Sequence, residues 1–246
     1  LYLNSEAFIG TPRWQDCLDM CQKISGYTLA PDYFTNFSQQ NQTSPEIIFA
    51  IPYDSKAGTV GNYMSSMSAH YLHKLTLSPT GNYPWSGNGM AAQPGVYSSF
   101  SETDKRKGTM LIGDQINLAT GSVITMDNGS ALTYTEEISS LTDAKENEGV
   151  RLNKYEAKAG DGWERDNDLV IIRYAEILMM QAECYVRIGS SSLAVPYVEQ
   201  ITSRAGTEMP AVVDLDFIDK ELLREFIFEG RRRTDNIRFG TYFLPW

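Results

Sequence analysis

The most regular pattern in the chain lies between Asn167 and Gly189, where the sequence is NDLVIIRYAEILMMQAECYVRIG. Apolar residues recur there at helical spacing, which predicts one helix over the whole stretch. Gly189 supplies its C-terminal stop, because glycine readily takes the left-handed conformation that ends helices. The apolar stripe is wide enough for packing on two sides. It consists of Ile171, Tyr174, Ala175, Leu178, Ala182 and Tyr185, widened by Ile172, Met179 and Val186.

A narrow charged face remains on this predicted helix. Its members are Arg173, Glu176, Glu183 and Arg187, with Met180 as the one apolar residue among them. Their spacing allows ion pairs between residues three or four apart. We predict that this face meets water.

Helical hairpins of tetratricopeptide type are predicted at both ends of the chain, because small residues occur where two helices approach closely. At the C-terminal end the packing positions are Ala182, Tyr185, Ala194, Val198 and Ile201. At the N-terminal end they are Ser5, Phe8, Cys17, Cys21 and Ile24, which explains two of the three cysteines as small buried residues. The third, Cys184, is expected to do the same. A further helix is predicted over Leu215–Glu229, with Asp214 or Asp216 as N-cap.

The segment between the helical ends, residues 31–166, is rich in Gly, Ser, Asn and Thr, so helices there should be few and short. Within it, the runs TMLIG, SVITM and ALTYT between Gly108 and Thr135 predict a small antiparallel unit. Asn128-Gly129 predicts a type I′ hairpin turn. The fold expected is therefore a mainly α, tetratricopeptide-like scaffold carrying a long loop-rich insert.

Three stretches together resemble the SusD/RagB family of outer-membrane glycan-binding lipoproteins. They are SPEIIFAIPYD at Ser44–Asp54, the run RYAEIL followed by QAE within Asn167–Gly189, and EGRRRTDNIRFG at Glu229–Gly240. The resemblance covers nearly the whole chain and is weakest between about Val60 and Lys107. It implies one SusD-like domain over residues 1–246 that lacks its N-terminal half. In that domain residues 1–30 and 167–240 form the helical scaffold and residues 31–166 the insert.

The resemblance also implies a function. Members of this family hold an oligo- or polysaccharide at the cell surface without cleaving it, and they deliver it to a SusC-like, TonB-dependent outer-membrane transporter. A lipid anchor at an N-terminal cysteine holds them to the outer membrane, and that cysteine is not in this sequence. No cofactor is implied.

The net charge of the chain disfavours some classes of binding partner. The formal net charge of −10 disfavours nucleic acid and anionic membrane surfaces, since binding phosphates needs clustered cations. The single basic cluster, Arg231-Arg232-Arg233, is expected to contact helix carbonyls or nearby carboxylates instead.

The loop Gly81–Gly89, GNYPWSGNG, holds the densest set of candidate sugar contacts. Tyr83 and Trp85 offer rings that can stack on a sugar, although Trp85 could equally plug the loop onto the scaffold. Neighbouring amides can donate to and accept from sugar hydroxyls. The candidate glycan-binding residues are Trp85, Tyr83, Asn82, Asn88, Tyr97 and Tyr63, with Ser86 and Tyr71 as further possibilities. They follow from local composition, not from a family motif.

Catalysis is not expected. The sequence contains no Gly-x-Ser-x-Gly elbow, P-loop or His-Glu-x-x-His motif, and its two histidines, His70 and His73, have no third ligand at a recognised metal-site spacing. The charged residues of the family stretches should form buried or half-buried ion pairs rather than a ligand site. They are Arg173, Glu176, Glu229, Arg232, Asp235 and Arg238. Two alternatives stay open: a helical-repeat interaction module without its own sugar site, and a glycan-cleaving enzyme.

Overall fold

The structure is a computed structural model that describes residues 1–54, 61–62, 64–68, 87–117, 120–156 and 165–244. It is mainly helical, as predicted. The helices in chain order are α1 (Ser5–Ile9), α2 (Trp14–Cys21), α3 (Met64–Ser68), α4 (Tyr174–Arg187), α5 (Ser191–Ala205), α6 (Leu215–Glu225) and α7 (Arg232–Phe239). The strands are β1 (Ile47–Ile51), β2 (Met110–Leu111), β3 (Gly113–Asp114), β4 (Thr133–Tyr134), β5 (Arg151–Leu152) and β6 (Leu169–Arg173).

The stretch predicted as one helix divides at Arg173. Residues 169–173 form β6, which pairs antiparallel with β1, and the helix begins only at Tyr174. The single-helix prediction was wrong at its N-terminal end, because a run of β-branched residues suits a strand once a partner strand is available. The predicted stop is confirmed: α4 ends at Arg187, and Gly189 has φ of 80°.

The charged face of α4 does not meet water, contrary to the prediction. Arg173, Glu176 and Glu183 are 1%, 7% and 0% exposed. Other parts of the chain cover this face and supply opposite charges, which sequence periodicity within one helix cannot reveal. The expected i,i+4 pair does form, with Arg187 Nε donating to Glu183 Oε1 at 2.8 Å.

The C-terminal hairpin is the centre of the core. Helices α4 and α5 pack closely through Ala182, Ala194, Val198 and Ile201, which are all fully buried. Tyr185 stacks on Tyr197 with ring centroids 5.7 Å apart. Helix α6 closes this core from the other side. The tetratricopeptide-like assignment of these positions is confirmed.

The N-terminal hairpin matches its prediction only in part. Cys17 and Cys21 are buried on α2, where they pack with Ile177 and Cys184 of α4. Ser5 is also buried and Ile24 packs partly against the same cluster, but Phe8 is 64% exposed. The predicted packing role was therefore wrong for Phe8, which lies on the five-residue helix α1.

The third predicted helix is shorter than expected. It ends at Glu225 instead of Glu229, and Asp214 is its N-cap, accepting a hydrogen bond from Phe217 N at 2.8 Å. Helix α7 then begins at Arg232 after a turn. The break places Glu229 in the turn between α6 and α7, where it faces Arg173.

The described part of the insert contains short helices and short strands, as predicted. The small antiparallel unit predicted between Gly108 and Thr135 is confirmed, because β3 pairs antiparallel with β4 inside it. Strand β2 pairs instead with β5, outside that range. Single bridges join Ile116 with Val123 and Thr125 with Ala131. The predicted type I′ turn was wrong: it needs positive φ at both Asn128 and Gly129, and only Gly129 has it, at 84°. The three residues 127–129 form the loop instead.

Candidate functional site

A network of buried charges joins the three family stretches. Arg173, at the end of β6, donates to Glu46 Oε1 at 2.8 Å and to both carboxylate oxygens of Glu229 at 2.9 Å. It also donates to the carboxylate of Glu225 and, at 2.6 Å, to the backbone carbonyl of the same residue. One guanidinium therefore ties β1 and β6 to α6 and to the turn after α6. The prediction of buried ion pairs at Arg173 and Glu229 is confirmed.

Further cations surround the same carboxylates. Arg204 donates to Glu46 Oε2 at 2.5 Å and to Glu225, and Lys154 donates to Glu229 at 2.5 Å. Arg106 contacts Glu225 at 2.9 Å and Glu221 at 2.8 Å. A charge that is buried without a partner is very costly, so this pairing is what allows so many charged groups to be buried.

The network shifts the pKa of its members. Burial alone would raise the pKa of the Glu225 carboxyl, but Arg204, Arg173 and Arg106 outweigh it and hold that pKa well below its ordinary value. The same competition, with Arg173 and Lys154 as the cations, lowers the pKa of Glu229. Burial lowers the pKa of the Lys154 ammonium to about 8, although Glu229 acts to raise it. All of these groups remain charged at pH 7, in the role of structural supports.

We expect acid to destabilise the protein through these carboxylates. Because the folded pKa values of Glu225 and Glu229 lie below the ordinary value of 4.5, their contribution is fully present above about pH 4.5 and is lost as pH falls through the folded values. The free energy of unfolding, from urea titrations at pH 7, 5, 4 and 3, should therefore fall steeply below pH 4.5. The raised pKa of Glu176, caused by burial, gives a small opposite trend above that pH.

A Glu225→Gln variant supplies the comparison. It is less stable at pH 7, yet its free energy of unfolding should fall less between pH 5 and pH 3 than that of the wild-type protein. Equal slopes for the two proteins would show that Glu225 does not carry the acid sensitivity.

A second set of ion pairs fixes α7 against α4 and α6. Arg238 donates to Glu183 at 2.7 and 3.0 Å and to Asp235 at 2.7 Å. Arg231 pairs with Glu176, and Arg232 donates to Asp219 Oδ1 at 2.5 Å and to the Asp219 carbonyl at 3.3 Å. The predicted ion pairs of these residues are confirmed. The expectation that the basic cluster contacts carboxylates and a helix carbonyl is confirmed for Arg231 and Arg232, whereas Arg233 lies over the ring of Tyr242.

Two of the six candidate glycan-binding residues lie in the described part of the chain. Asn88 has φ of 48°, and its side chain is tied at both ends: Nδ2 donates to Glu146 O at 2.8 Å, and Oδ1 accepts from Arg151 Nε at 3.0 Å. Tyr97 packs partly on a buried cluster, with Lys107 Nζ 4.4 Å from its ring centroid. Both anchor the insert locally. Their role in sugar binding stays a prediction.

The other four candidates, Trp85, Tyr83, Asn82 and Tyr63, lie outside the described residues. So do Tyr71, Ser86 and the two histidines. The geometry of the loop Gly81–Gly89 is therefore described only at its C-terminal end, where Gly89 N donates to Met67 O at 2.9 Å. That end is held firmly, by this bond and by the side chain of Asn88.

A polar cavity lies at the end of the β1–β6 ribbon. Because Ile51 pairs with Leu169, the residues that follow β1 and those that precede β6 meet at the same end. We call this the ribbon-end cavity; its volume is about 390 Å³. Its walls are formed by Gln39, Gln40, Gln42, Tyr53, Asp166 and Asp168, and Pro52 and Asp54 complete the lining. This cavity was not among the predicted sites, although the amide-rich run Gln39–Gln42 was a visible signal in the sequence.

The described residues contain no group of three or more His, Cys, Asp or Glu side chains placed to hold a metal ion. Among the same residues, no helix has both the length and the apolar character needed to cross a membrane.

The SusD family model matches residues 22–244, which is most of the chain and includes all three stretches that suggested the resemblance. This chain belongs to the SusD family. The helices and the buried charge network described above are therefore parts of a SusD-family fold.

Two curated relatives agree with this assignment. The starch-binding protein SusD of Bacteroides thetaiotaomicron is 32% identical over 122 residues, which are 46% of this chain and 21% of that protein. A SusD-like protein of Formosa agariphila is 23% identical over 216 residues, covering 80% of this chain and 38% of the relative. The first name describes a binding protein, not an enzyme.

Solved structures share the fold. Surface glycan-binding protein A of Bacteroides thetaiotaomicron, in complex with laminarihexaose, has a TM-score of 0.68 at 23% identity, covering 97% of this chain and 51% of that one. A laminarin-binding SusD-like protein has a TM-score of 0.68 at 20% identity, with coverages of 98% and 55%. The chain thus spans about half the length of these structures.

Proposed function

We propose that this SusD-family chain belongs to a surface protein that binds an oligo- or polysaccharide without cleaving it. The observation that carries the proposal is the family match over residues 22–244, since SusD-family relatives are named for binding starch, laminarin and other glycans. The insert supports it with the loop Gly81–Gly89, whose sequence contains two aromatic residues close to amide and hydroxyl side chains. Flat rings and paired hydrogen-bonding groups are what a neutral sugar requires.

The proposal extends to location and partner. As a member of this family the protein would be held at the outer-membrane surface by a lipid anchor, and it would pass its glycan to a SusC-like, TonB-dependent transporter. Binding of moderate strength suits such a hand-over, because the transporter must be able to take the ligand. The net charge of −10 favours a neutral glycan over nucleic acid as the ligand.

Retention in native gels that contain polysaccharide tests this function. Starch and laminarin are the first probes, followed by other plant and host glycans, and the protein should migrate more slowly with at least one of them. A helical-repeat module without a sugar site would migrate normally with all of them. Release of reducing ends during incubation would contradict a purely binding role.

We expect Trp85→Ala to weaken that retention about tenfold, because an exposed tryptophan that stacks on a sugar is a typical energetic centre of a binding site. The melting temperature should change little, since a loop aromatic that contacts ligand does not hold the core. Trp85→Phe is the matched control: it keeps a flat ring and should keep most of the retention. If Trp85→Ala binds normally, or unfolds, the tryptophan plugs the loop onto the scaffold instead.

A further inference from the structure

Polar groups that line a cavity are often already bonded to one another. The cavity of about 420 Å³ beside α6 is an example. There Arg224 pairs with Glu221 at 2.6 Å, and the hydroxyls of Ser101 and Thr103 bond to each other at 3.2 Å. A ligand entering it would have to break these bonds, which removes most of the gain from the new ones.

In the ribbon-end cavity, three polar side chains differ in this respect: those of Gln40, Gln42 and Tyr53. Gln40 and Gln42 are exposed, and Tyr53 is half-buried. None of the side-chain bonds in the described part of the chain engages the two amides or the tyrosine hydroxyl. These groups can therefore donate to and accept from a ligand without first losing a partner in the protein.

The walls of the cavity are fixed in place before any ligand binds. The fully buried Asn41 donates to Asp168 O at 2.9 Å and accepts from Asp168 N at 2.8 Å. Asp168 in turn accepts from Tyr53 N at 2.9 Å, and Glu156 accepts from Gln39 N at 3.0 Å. Backbone positions held in this way reduce the entropy that binding would cost.

The chemistry of the lining selects the kind of ligand. Amides, carboxylates and a tyrosine hydroxyl match the paired donors and acceptors of sugar hydroxyls, and the tyrosine ring adds an apolar face. Among the described residues, three aspartates and no lysine or arginine line the cavity, so an anionic group would meet like charges. A volume of about 390 Å³ lies within the range of small-ligand sites.

We propose that the ribbon-end cavity is a second sugar-binding subsite, in addition to the one proposed from the sequence of the loop Gly81–Gly89, and that it accepts units of a neutral glycan. The inference rests on the proposed glycan-binding function. It adds the location of a binding site and a preference for neutral glycans over anionic ones. Tyr53 supplies the ring, Gln40 and Gln42 the amide hydrogen bonds, and the aspartates accept from sugar hydroxyls.

The test uses the polysaccharide, starch or laminarin, that retains the wild-type protein in native gels. Tyr53→Ala and the double variant Gln40→Ala/Gln42→Ala should each weaken retention about fivefold to tenfold, as expected for losing one or two hydrogen bonds to a neutral ligand. Tyr27→Ala and Gln200→Ala remove a half-buried tyrosine and an exposed glutamine elsewhere, and they should leave retention unchanged.

The possible outcomes distinguish the proposed second subsite from the proposed glycan-binding function. If Trp85→Ala weakens retention but the cavity variants equal the controls, the second subsite is wrong and the glycan-binding function stands. If neutral polysaccharides of the panel all fail to retain the wild-type protein, both are wrong. If the cavity variants weaken retention while Trp85→Ala does not, the cavity is a binding site and the loop assignment is wrong.

The preference for a neutral glycan is tested with a separate pair of variants. A carboxymethylated derivative of the retaining glycan should be bound more weakly than its neutral parent. Asp54→Asn should reduce that difference, whereas Asp143→Asn, which changes the net charge equally at an exposed site elsewhere, should not. Equal effects of the two variants would show that overall charge, and not the cavity, rejects anionic glycans.

Discussion

Replacing Arg173 by methionine should lower the free energy of unfolding by about 4 kcal/mol, within the range seen when one partner of a buried ion pair is removed. Arg173 is 1% exposed, and its loss leaves Glu46, Glu225 and Glu229 facing one another with fewer cations. Methionine fills similar space and adds no new charge, so the effect reports the unpaired carboxylates rather than a cavity.

Urea unfolding followed by circular dichroism measures this change. Arg13→Met is the matched control, because Arg13 pairs with Asp16 at 2.8 Å on the surface, with 45% of its side chain exposed. An exposed pair of this kind contributes at most about 1 kcal/mol. If the two variants lose similar stability, the charge network does not hold the frame together.

Truncating Leu178 to alanine should cost about 3 kcal/mol, which is typical when a fully buried leucine is shortened in a tightly packed core. Leu178 is 1% exposed in the middle of α4 and belongs to the cluster formed by α4, α5 and α6. Its neighbours Ala182 and Ala194 are small, and the two backbones are already close, so the helices have little freedom to close the gap.

Thermal unfolding and urea titration both measure the effect of this truncation. For a domain of this size each kcal/mol lowers the melting temperature by roughly 2–4 °C. Leu193→Ala is the control, since Leu193 lies on α5 but is 53% exposed. A loss of less than about 1 kcal/mol for Leu178→Ala would mean that the hairpin core is looser than its burial indicates.

The two predicted effects report different contributions to the fold of this SusD-family chain. The α4–α6 core supplies the apolar burial, and the network around Arg173 fixes how β1, β6 and the turn after α6 lie on that core. Buried ion pairs are often no more stabilising than apolar groups of the same size, so we attribute to this network the specification of geometry rather than extra stability. That geometry places the ribbon end, and hence the proposed second subsite, on a rigid support.

Local patterns were sufficient where neighbours in sequence are also neighbours in space. The hairpin α4–α5 and the stop at Gly189 follow from helical spacing and from glycine's conformational freedom. The capping role of Asp214 follows from its place before an apolar helical run. The family stretches likewise identified the family, because they occur as continuous sequence.

The structure differs from the sequence prediction wherever a segment that is distant in sequence supplies the deciding contact. Residues 169–173 became a strand because β1, more than a hundred residues earlier in the chain, offers a ladder of backbone hydrogen bonds. The charged face of α4 became buried because α6, α7 and β1 bring opposite charges to it. Periodicity describes one element at a time, and it cannot show which charges another element will meet.

The sequence by itself determined the family, the helical frame and the absence of recognised catalytic motifs, since each depends on residue types at short spacing. Only the tertiary structure decided where the charged residues go and that Gln40, Gln42 and Tyr53 share a cavity. Those residues meet because two strands end at the same edge, and a contact between segments far apart in sequence is fixed by packing.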